Sequence, residues 1–156
     1  MKKILSVFLS VLICAGMFGC SNKQADKYDT FTFQELTFYI PKELKLEETE
    51  IDEHSYSVGS EEFMLLADYI SLEEIQNNGW SLKDLEYTIF KDQEKQEIGG
   101  YPTFFYKNTV DGDEFYYSYT EVVTDKGVYD VHMTCYAEDE EKMHGYMEDI
   151  ISRIKH

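Results

Sequence analysis

The chain has 156 residues with 31 acidic and 14 basic side chains, which gives a formal net charge of −17. Such an excess of carboxylates excludes nucleic acid as the main partner, because nucleic-acid binding depends on clustered lysine and arginine. It also argues against a domain that lies flat on anionic lipid.

The N-terminus predicts export. Lys2 and Lys3 precede an apolar run from Ile4 to Ile13, which is the pattern of a signal peptide. Even counted to Gly19, the apolar stretch is shorter than the roughly 20 residues that a membrane-spanning helix needs. We therefore predict a cleaved signal peptide over residues 1–19, with a secretory signal cut nearby and an uncleaved anchor as the alternatives. Removal of the signal peptide takes away Lys2 and Lys3 and no acidic residue. The mature chain then has 12 basic and 31 acidic residues, a net charge of −19.

The stretch Met17-Phe18-Gly19-Cys20 resembles the lipobox of bacterial lipoprotein precursors, although its first two residues depart from the usual leucine and small residue. The resemblance implies cleavage before Cys20, diacylation of that cysteine, and anchoring to the cell membrane on the extracytoplasmic side. Two acyl chains hold a protein stably on a bilayer, whereas one does so only marginally. Cys14 leaves with the signal, so Cys135 is the only other cysteine of the mature chain and no disulfide framework is predicted.

The mature chain predicts a short linker followed by one domain. Residues 20–29 comprise the lipidated Cys20 and a polar linker, and residues 30–156 form a single α+β domain. Alternating apolar residues from Thr30 to Ile40 predict two strands with a tight hairpin at Gln34-Glu35. Further strands are predicted at Ile51–Val58 and Phe63–Ile70, joined by a glycine-serine turn.

Helical signals follow these strands. Ser71 and Glu74 have the spacing of a capping box at the start of a short helix, which ends near Asn77-Asn78-Gly79. Ser81 predicts the N-cap of a second helix, whose apolar face comprises Leu82, Leu85 and Ile89.

The C-terminal half predicts a three-stranded antiparallel meander and a closing helix. The strands of the meander are expected at residues 101–110, 114–124 and 128–137, separated by two glycine-containing turns. In the last strand Tyr129, Val131, Met133 and Cys135 share one face, so one side of the sheet is predicted to be core and the other mostly solvated. The closing amphipathic helix is predicted from the stripe of Met143, Tyr146, Met147, Ile150, Ile151 and Ile154.

This order of elements resembles the PsbP-like fold and small lipoproteins of the PsbP/DcrB type. The first two strands end in Phe38-Tyr39-Ile40-Pro41, and Ile98-Gly99-Gly100-Tyr101-Pro102 before the meander is similar too. So is the ending from Asp149 to Ile154. The resemblance covers about residues 30–155 and is one of layout rather than of a catalytic motif. It implies an antiparallel sheet packed against helices and an interaction or accessory role, although a fold alone does not fix function.

Motifs for catalysis or metal binding are weak in this sequence. The loop Asp111-Gly112-Asp113-Glu114 has three carboxylates, which are ligands that calcium prefers, but the further ligands of an EF-hand are absent. We therefore predict a hairpin turn there, with a cation site at Asp111, Asp113 and Glu114 as the alternative. Cys135 falls on an apolar face, where a buried and inert thiol is expected. We predict a protein that is not an enzyme and holds no cofactor or metal.

The tyrosine content is the remaining indication of function. The chain has 13 tyrosines; cross-strand aromatic pairs stabilise sheets, but tyrosine is also enriched where proteins bind one another. The predicted binding surface comprises Tyr116, Tyr117, Tyr119, His132 and Trp80, with Trp80 either a lid over the core or an exposed anchor. The first hypothesis is a membrane-tethered accessory module that binds an envelope protein or peptide. The second is a lipoprotein that binds a small molecule or divalent cation on an acidic, tyrosine-lined surface.

Overall fold

The computed structural model describes residues 27–80, 90 and 93–156. Its strands are β1 (Tyr28–Phe33), β2 (Leu36–Pro41), β3 (Glu47–Ile51), β4 (Ser55–Gly59), β5 (Phe63–Ser71), β6 (Lys95–Ile98), β7 (Tyr101–Val110), β8 (Asp113–Val123) and β9 (Gly127–Tyr136). Its helices are α1 (Leu72–Asn77) and α2 (Glu140–Ser152), with short 3-10 turns at Lys42–Leu44 and Ala137–Asp139. The predicted α+β class, with an antiparallel sheet and a closing helix, is confirmed.

Seven strands form one sheet in the order β3-β4-β5-β9-β8-β7-β6, and β1 and β2 form a separate hairpin. All neighbouring strands are antiparallel. In the large sheet only β5 and β9 are neighbours without being consecutive strands of the chain. Their long pairing, from Phe63 opposite Cys135 to Ser71 opposite Gly127, therefore joins two meanders into one sheet.

The hydrophobic core lies between one face of this sheet, called here the inner face, and a layer formed by the β1–β2 hairpin and α2. Phe33 of the hairpin stacks on Tyr56 of β4, with 5.7 Å between ring centroids. From α2, Met147 and Ile150 are fully buried in the same cluster. Burial of each such side chain contributes roughly 1.5–3 kcal/mol. The opposite face of the sheet is called the outer face.

The local signals for turns and caps are confirmed. Gln34 has a positive φ of 52° at the β1–β2 turn. The capping box is complete, because the Ser71 hydroxyl accepts a hydrogen bond from the Glu74 backbone N–H at 3.1 Å, and the Ser71 backbone N–H donates to Glu74 Oε2 at 2.9 Å. The three strands of the predicted meander match β7, β8 and β9 to within a residue.

Two elements correct the predictions. The single strand expected at Ile51–Val58 is wrong: the chain turns back after β3, and the Asp52 carboxylate holds this turn by accepting the backbone N–H groups of His54 and Ser55 at 2.7 Å each. The polar edge strand β6 was not predicted at all. The predicted signal peptide, the lipidated Cys20 and the second helix with Leu82, Leu85 and Ile89 lie outside the described residues.

Candidate functional site

The outer face of the sheet brings together three of the five side chains predicted as a binding surface. Tyr117 and Tyr119 of β8 point outward, and His132 of β9 lies opposite Tyr119, with 4.9 Å between ring centroids. Tyr116 points inward instead, is 4% exposed, and its hydroxyl lies 2.6 Å from Nδ1 of His144. Because successive residues of a strand point to opposite faces, Tyr116 does not belong to this surface, which corrects its inclusion.

Trp80 is exposed and is not a lid over the core. Its side chain is 49% exposed, and its backbone N–H donates to the carbonyl of Ile75 at the end of α1. That helix begins where β5 ends, at the end of the sheet marked by Gly127. Trp80 is thus an exposed aromatic side chain that follows α1.

Stacked aromatic rings extend across the outer face. The centroid distances are 4.9 Å for Phe90–Phe104, 4.8 Å for Phe90–Tyr119, 5.0 Å for Tyr106–Tyr117 and 5.1 Å for Phe115–Tyr136. Pairs of this kind contribute about 0.5–1.5 kcal/mol beyond their buried area. Part of this aromatic surface therefore stabilises the fold.

Part of the outer face, around Tyr119, is covered. Phe90 is 6% exposed and lies over Tyr119, which is 2% exposed. The prediction of a mostly solvated outer face is therefore wrong around Tyr119, because Phe90, which precedes β6 in the chain, stacks on this tyrosine.

Polar groups on the outer face are hydrogen-bonded to one another in pairs. The Tyr119 hydroxyl donates to Asp130 at 2.6 Å, and the Ser55 hydroxyl donates to Asp68 at 2.6 Å. Burial lowers the pKa of His132, although Asp130 and Asp68 act in the opposite direction. The ring contact between His132 and Tyr119 suits a structural role for this histidine.

The end of the outer face near the β4–β5 and β7–β8 turns carries exposed apolar side chains. Its exposed members are Met64, Val110 and Tyr136, with exposed fractions of 44%, 44% and 43%. Together with Tyr106, Phe115 and Tyr117 they form a surface that we call the aromatic end. Exposed apolar side chains grouped on one face in this way are typical of sites that bind other molecules.

The predicted binding surface lacks five members of the aromatic end: Met64, Tyr106, Val110, Phe115 and Tyr136. Tyr136 and Phe115 could have been found from strand alternation, because they share a face with His132 and Tyr117. Met64 could not, since its place opposite Thr134 depends on the pairing of β5 with β9, which are distant in sequence.

The aromatic end is surrounded by acidic turns. The β4–β5 turn, the β7–β8 turn and the segment after β9 all lie at this end of the sheet, as the register of the strands shows. Residues 60–62, 111–114 and 138–142 together contain nine carboxylates and one lysine. A strongly negative potential is therefore expected around an apolar centre, which favours a cationic partner.

The remaining candidate groups are structural. Burial raises the pKa of the Cys135 thiol to about 11, so it is a poor nucleophile. Asp111 and Gly112 have φ angles of 55° and 99° and form the predicted hairpin turn. Among the described residues, no group of three or more His, Cys, Asp or Glu side chains is placed to hold a metal ion. The small-molecule or divalent-cation hypothesis stays a prediction.

A concavity of about 390 Å³ lies between α2 and the start of β1. Its polar side chains are already paired: Tyr28 donates to Asp149 at 2.9 Å, and Tyr146 donates to Glu43 at 2.8 Å. Arg153 lies over the ring of Tyr28 and bonds Asp149 at 2.8 Å. These contacts fasten β1, the first described strand, to α2.

No protein-family model and no curated protein matches this chain. Among solved structures, it is similar to a Bacteroides thetaiotaomicron VPI-5482 protein, with a TM-score of 0.56 and 12% identity over 83% of this chain and 48% of that one. The chain thus spans about half the length of that protein. It also matches LpqN of Mycobacterium tuberculosis, which is involved in cell envelope biogenesis, with a TM-score of 0.37 and 9% identity over 82% of each chain.

The Bacteroides structure supports the fold alone, because its identity to this chain is low. The resemblance to the PsbP-like fold stays a prediction. Within the described residues, no helix is long and apolar enough to cross a membrane.

Proposed function

We propose that this protein is a lipid-tethered, non-enzymatic module of the bacterial cell envelope that binds a protein or peptide through the aromatic end. The tether is supported by the signal-like N-terminus and the resemblance of the residues before Cys20 to a lipobox. From Cys20 to Lys27 the chain reaches at most about 25 Å. The bound partner would therefore lie close to the bilayer.

The observation that carries the binding function is the exposure of the aromatic end. Three of the six large apolar side chains that are exposed in the described chain gather there, namely Met64, Val110 and Tyr136. Tyrosine and methionine are enriched at the centres of protein interfaces, and a polar rim commonly surrounds such centres. The acidic turns provide that rim here.

Membrane fractionation of cells that express the Cys20→Ser variant tests the tether. Loss of the acylated cysteine should move the protein from the membrane fraction to the soluble extracytoplasmic fraction, because the acyl chains that would hold the domain at the bilayer are then missing. Continued association with the membrane would show that the N-terminus is an uncleaved anchor.

A pull-down from detergent-solubilised membranes at native expression tests the binding function. The wild-type protein should recover one specific partner, and a Tyr117→Ser/Tyr136→Ser variant should lose it. The control is Trp80→Ser, which removes an equally exposed aromatic outside the aromatic end. The assignment would be refuted if the double variant recovered the same partner. It would also be refuted if the wild type, the double variant and the Trp80→Ser variant were all recovered without any partner.

A further inference from the structure

We infer that a small pocket at the aromatic end receives a lysine or arginine side chain from a basic segment of the partner. This inference rests on the proposed function and specifies the chemistry of its ligand. The pocket lies between the β4–β5 turn and the end of β9. Glu61 and Glu62 form one wall, and Met64, Phe115 and Tyr136 form the other.

The size of the pocket fits one side chain rather than a whole ligand. Its volume is about 140 Å³, whereas pockets for drug-sized ligands span roughly 300–1,000 Å³. The apolar wall suits the methylene stem of a long side chain, because lysine and arginine bury their stems and keep their charge near water. The occupant is therefore a side chain presented by a larger molecule that also covers the rest of the aromatic end.

The pocket offers several hydrogen-bond acceptors, including two carboxylates. The carboxylates of Glu61 and Glu62 are exposed at its mouth, and Lys142 reaches Glu62 only at 3.5 Å in a solvent-exposed pair, which is weak. Thr134 also lines the pocket, and its hydroxyl oxygen is buried with no hydrogen-bond partner among the described residues. A guanidinium or ammonium group donates hydrogen bonds and accepts none, so it complements this set.

The aromatic pair beside the pocket favours the same occupant. Phe115 and Tyr136 stack at 5.1 Å with 26° between their planes, and a cation near such a ring is attracted by its π face. Anionic lipid, nucleic acid and a second copy of this chain are disfavoured, because all of them are negatively charged.

Fluorescence anisotropy with synthetic peptides tests the inference on the whole mature chain, Cys20 to His156, in nonionic micelles at 0.15 M salt. The probe is a labelled peptide of nine residues. Three of them are arginine, and the other six alternate between glycine and leucine. The matched peptide has citrulline, a neutral isostere, in place of each arginine. We expect the arginine peptide to bind at least about ten-fold more tightly than the citrulline peptide.

Two charge-matched variants separate the pocket from the overall negative field. Glu61→Gln/Glu62→Gln should weaken binding of the arginine peptide by about five- to ten-fold. Glu73→Gln/Asp125→Asn, which removes the same charge at exposed positions outside the pocket, should weaken it less than about two-fold because salt screens distant charges.

Three results would overturn the inference: no binding of the arginine peptide up to millimolar concentration, equal binding of the two peptides, or equal weakening by the two variants. The proposed function would survive each of them if the partner recovered by pull-down is still lost in the Tyr117→Ser/Tyr136→Ser variant. If that variant keeps the partner, the proposed function itself fails.

Discussion

Tyr129 and Tyr136 lie on the same strand, β9, and point to opposite faces of the sheet, which makes them a matched pair of truncations. Tyr129 is fully buried, packs against Phe33 and Tyr69, and accepts a backbone N–H from Glu35. Its replacement by alanine removes a large core ring, which typically costs about 3–5 kcal/mol in free energy of unfolding.

Tyr136 is 43% exposed, so a little more than half of its surface is buried, whereas a core side chain is buried almost completely. Full burial of a large apolar side chain contributes roughly 1.5–3 kcal/mol. The Tyr136→Ala variant should therefore cost only about 1–1.5 kcal/mol, part of it from the lost stacking on Phe115.

Urea denaturation of both variants, followed by circular dichroism, measures the two costs in the same assay. A clear difference means that the aromatic end is a surface whose truncation leaves the fold intact, so that loss of binding there can be attributed to the interface. Equal losses would refute this reasoning, because Tyr136 would then be part of a packed core.

Three further predictions follow from the described contacts. Burial raises the pKa of the Cys135 thiol to about 11. In the mature chain with Cys20 replaced by serine, this thiol should therefore react with a thiol reagent at pH 8 only after denaturation. Rapid reaction of the folded protein would contradict the burial of Cys135. The Ser71→Ala variant should cost about 1 kcal/mol at neutral pH, the usual value of an N-cap side chain. The Ser71 hydroxyl donates to the Glu74 carboxylate and lowers the pKa of that carboxyl group. The stability lost in the variant should therefore be largest above the ordinary carboxyl pKa, and it should become smaller as the pH falls through the lowered pKa of Glu74. A loss of stability that stays unchanged down to pH 3 would contradict this prediction. Gly99→Ala should destabilise the protein more than Gly100→Ala in thermal melts, because both have a positive φ but only the first would place a methyl group 2.8 Å from the backbone of α2.

Much of the fold follows from local signals in the sequence. The glycine-containing turns, the capping box at Ser71 and the helical stripe of α2 each depend on residues close together in the chain, and each is confirmed. The turn after β3 was missed because it contains neither glycine nor proline and is held by the side chain of Asp52. Strand β6 was missed because its residues are polar and its pairing partner β7 supplies the hydrogen bonds.

The candidate site was predictable only in part. Strand alternation separates Tyr117 from Tyr116, and it would have placed Tyr136 with Tyr117 once β8 and β9 were paired. The pairing of β5 with β9 brings Met64 and the acidic β4–β5 turn to the aromatic end, and no local pattern encodes it. The covering of Tyr119 by Phe90 is likewise a contact between distant parts of the chain.

Site-specific photo-crosslinking in intact cells tests the central claim most directly, because it reports which face of the native protein touches another molecule. A photoreactive amino acid in place of Tyr136 should give a discrete crosslinked adduct with an envelope protein. The same amino acid in place of Tyr146, which lies on α2, donates to Glu43 and is not a member of the aromatic end, should not give this adduct. Adducts from Tyr146 alone, or the same adduct from both positions, would contradict the assignment of the aromatic end as the binding surface.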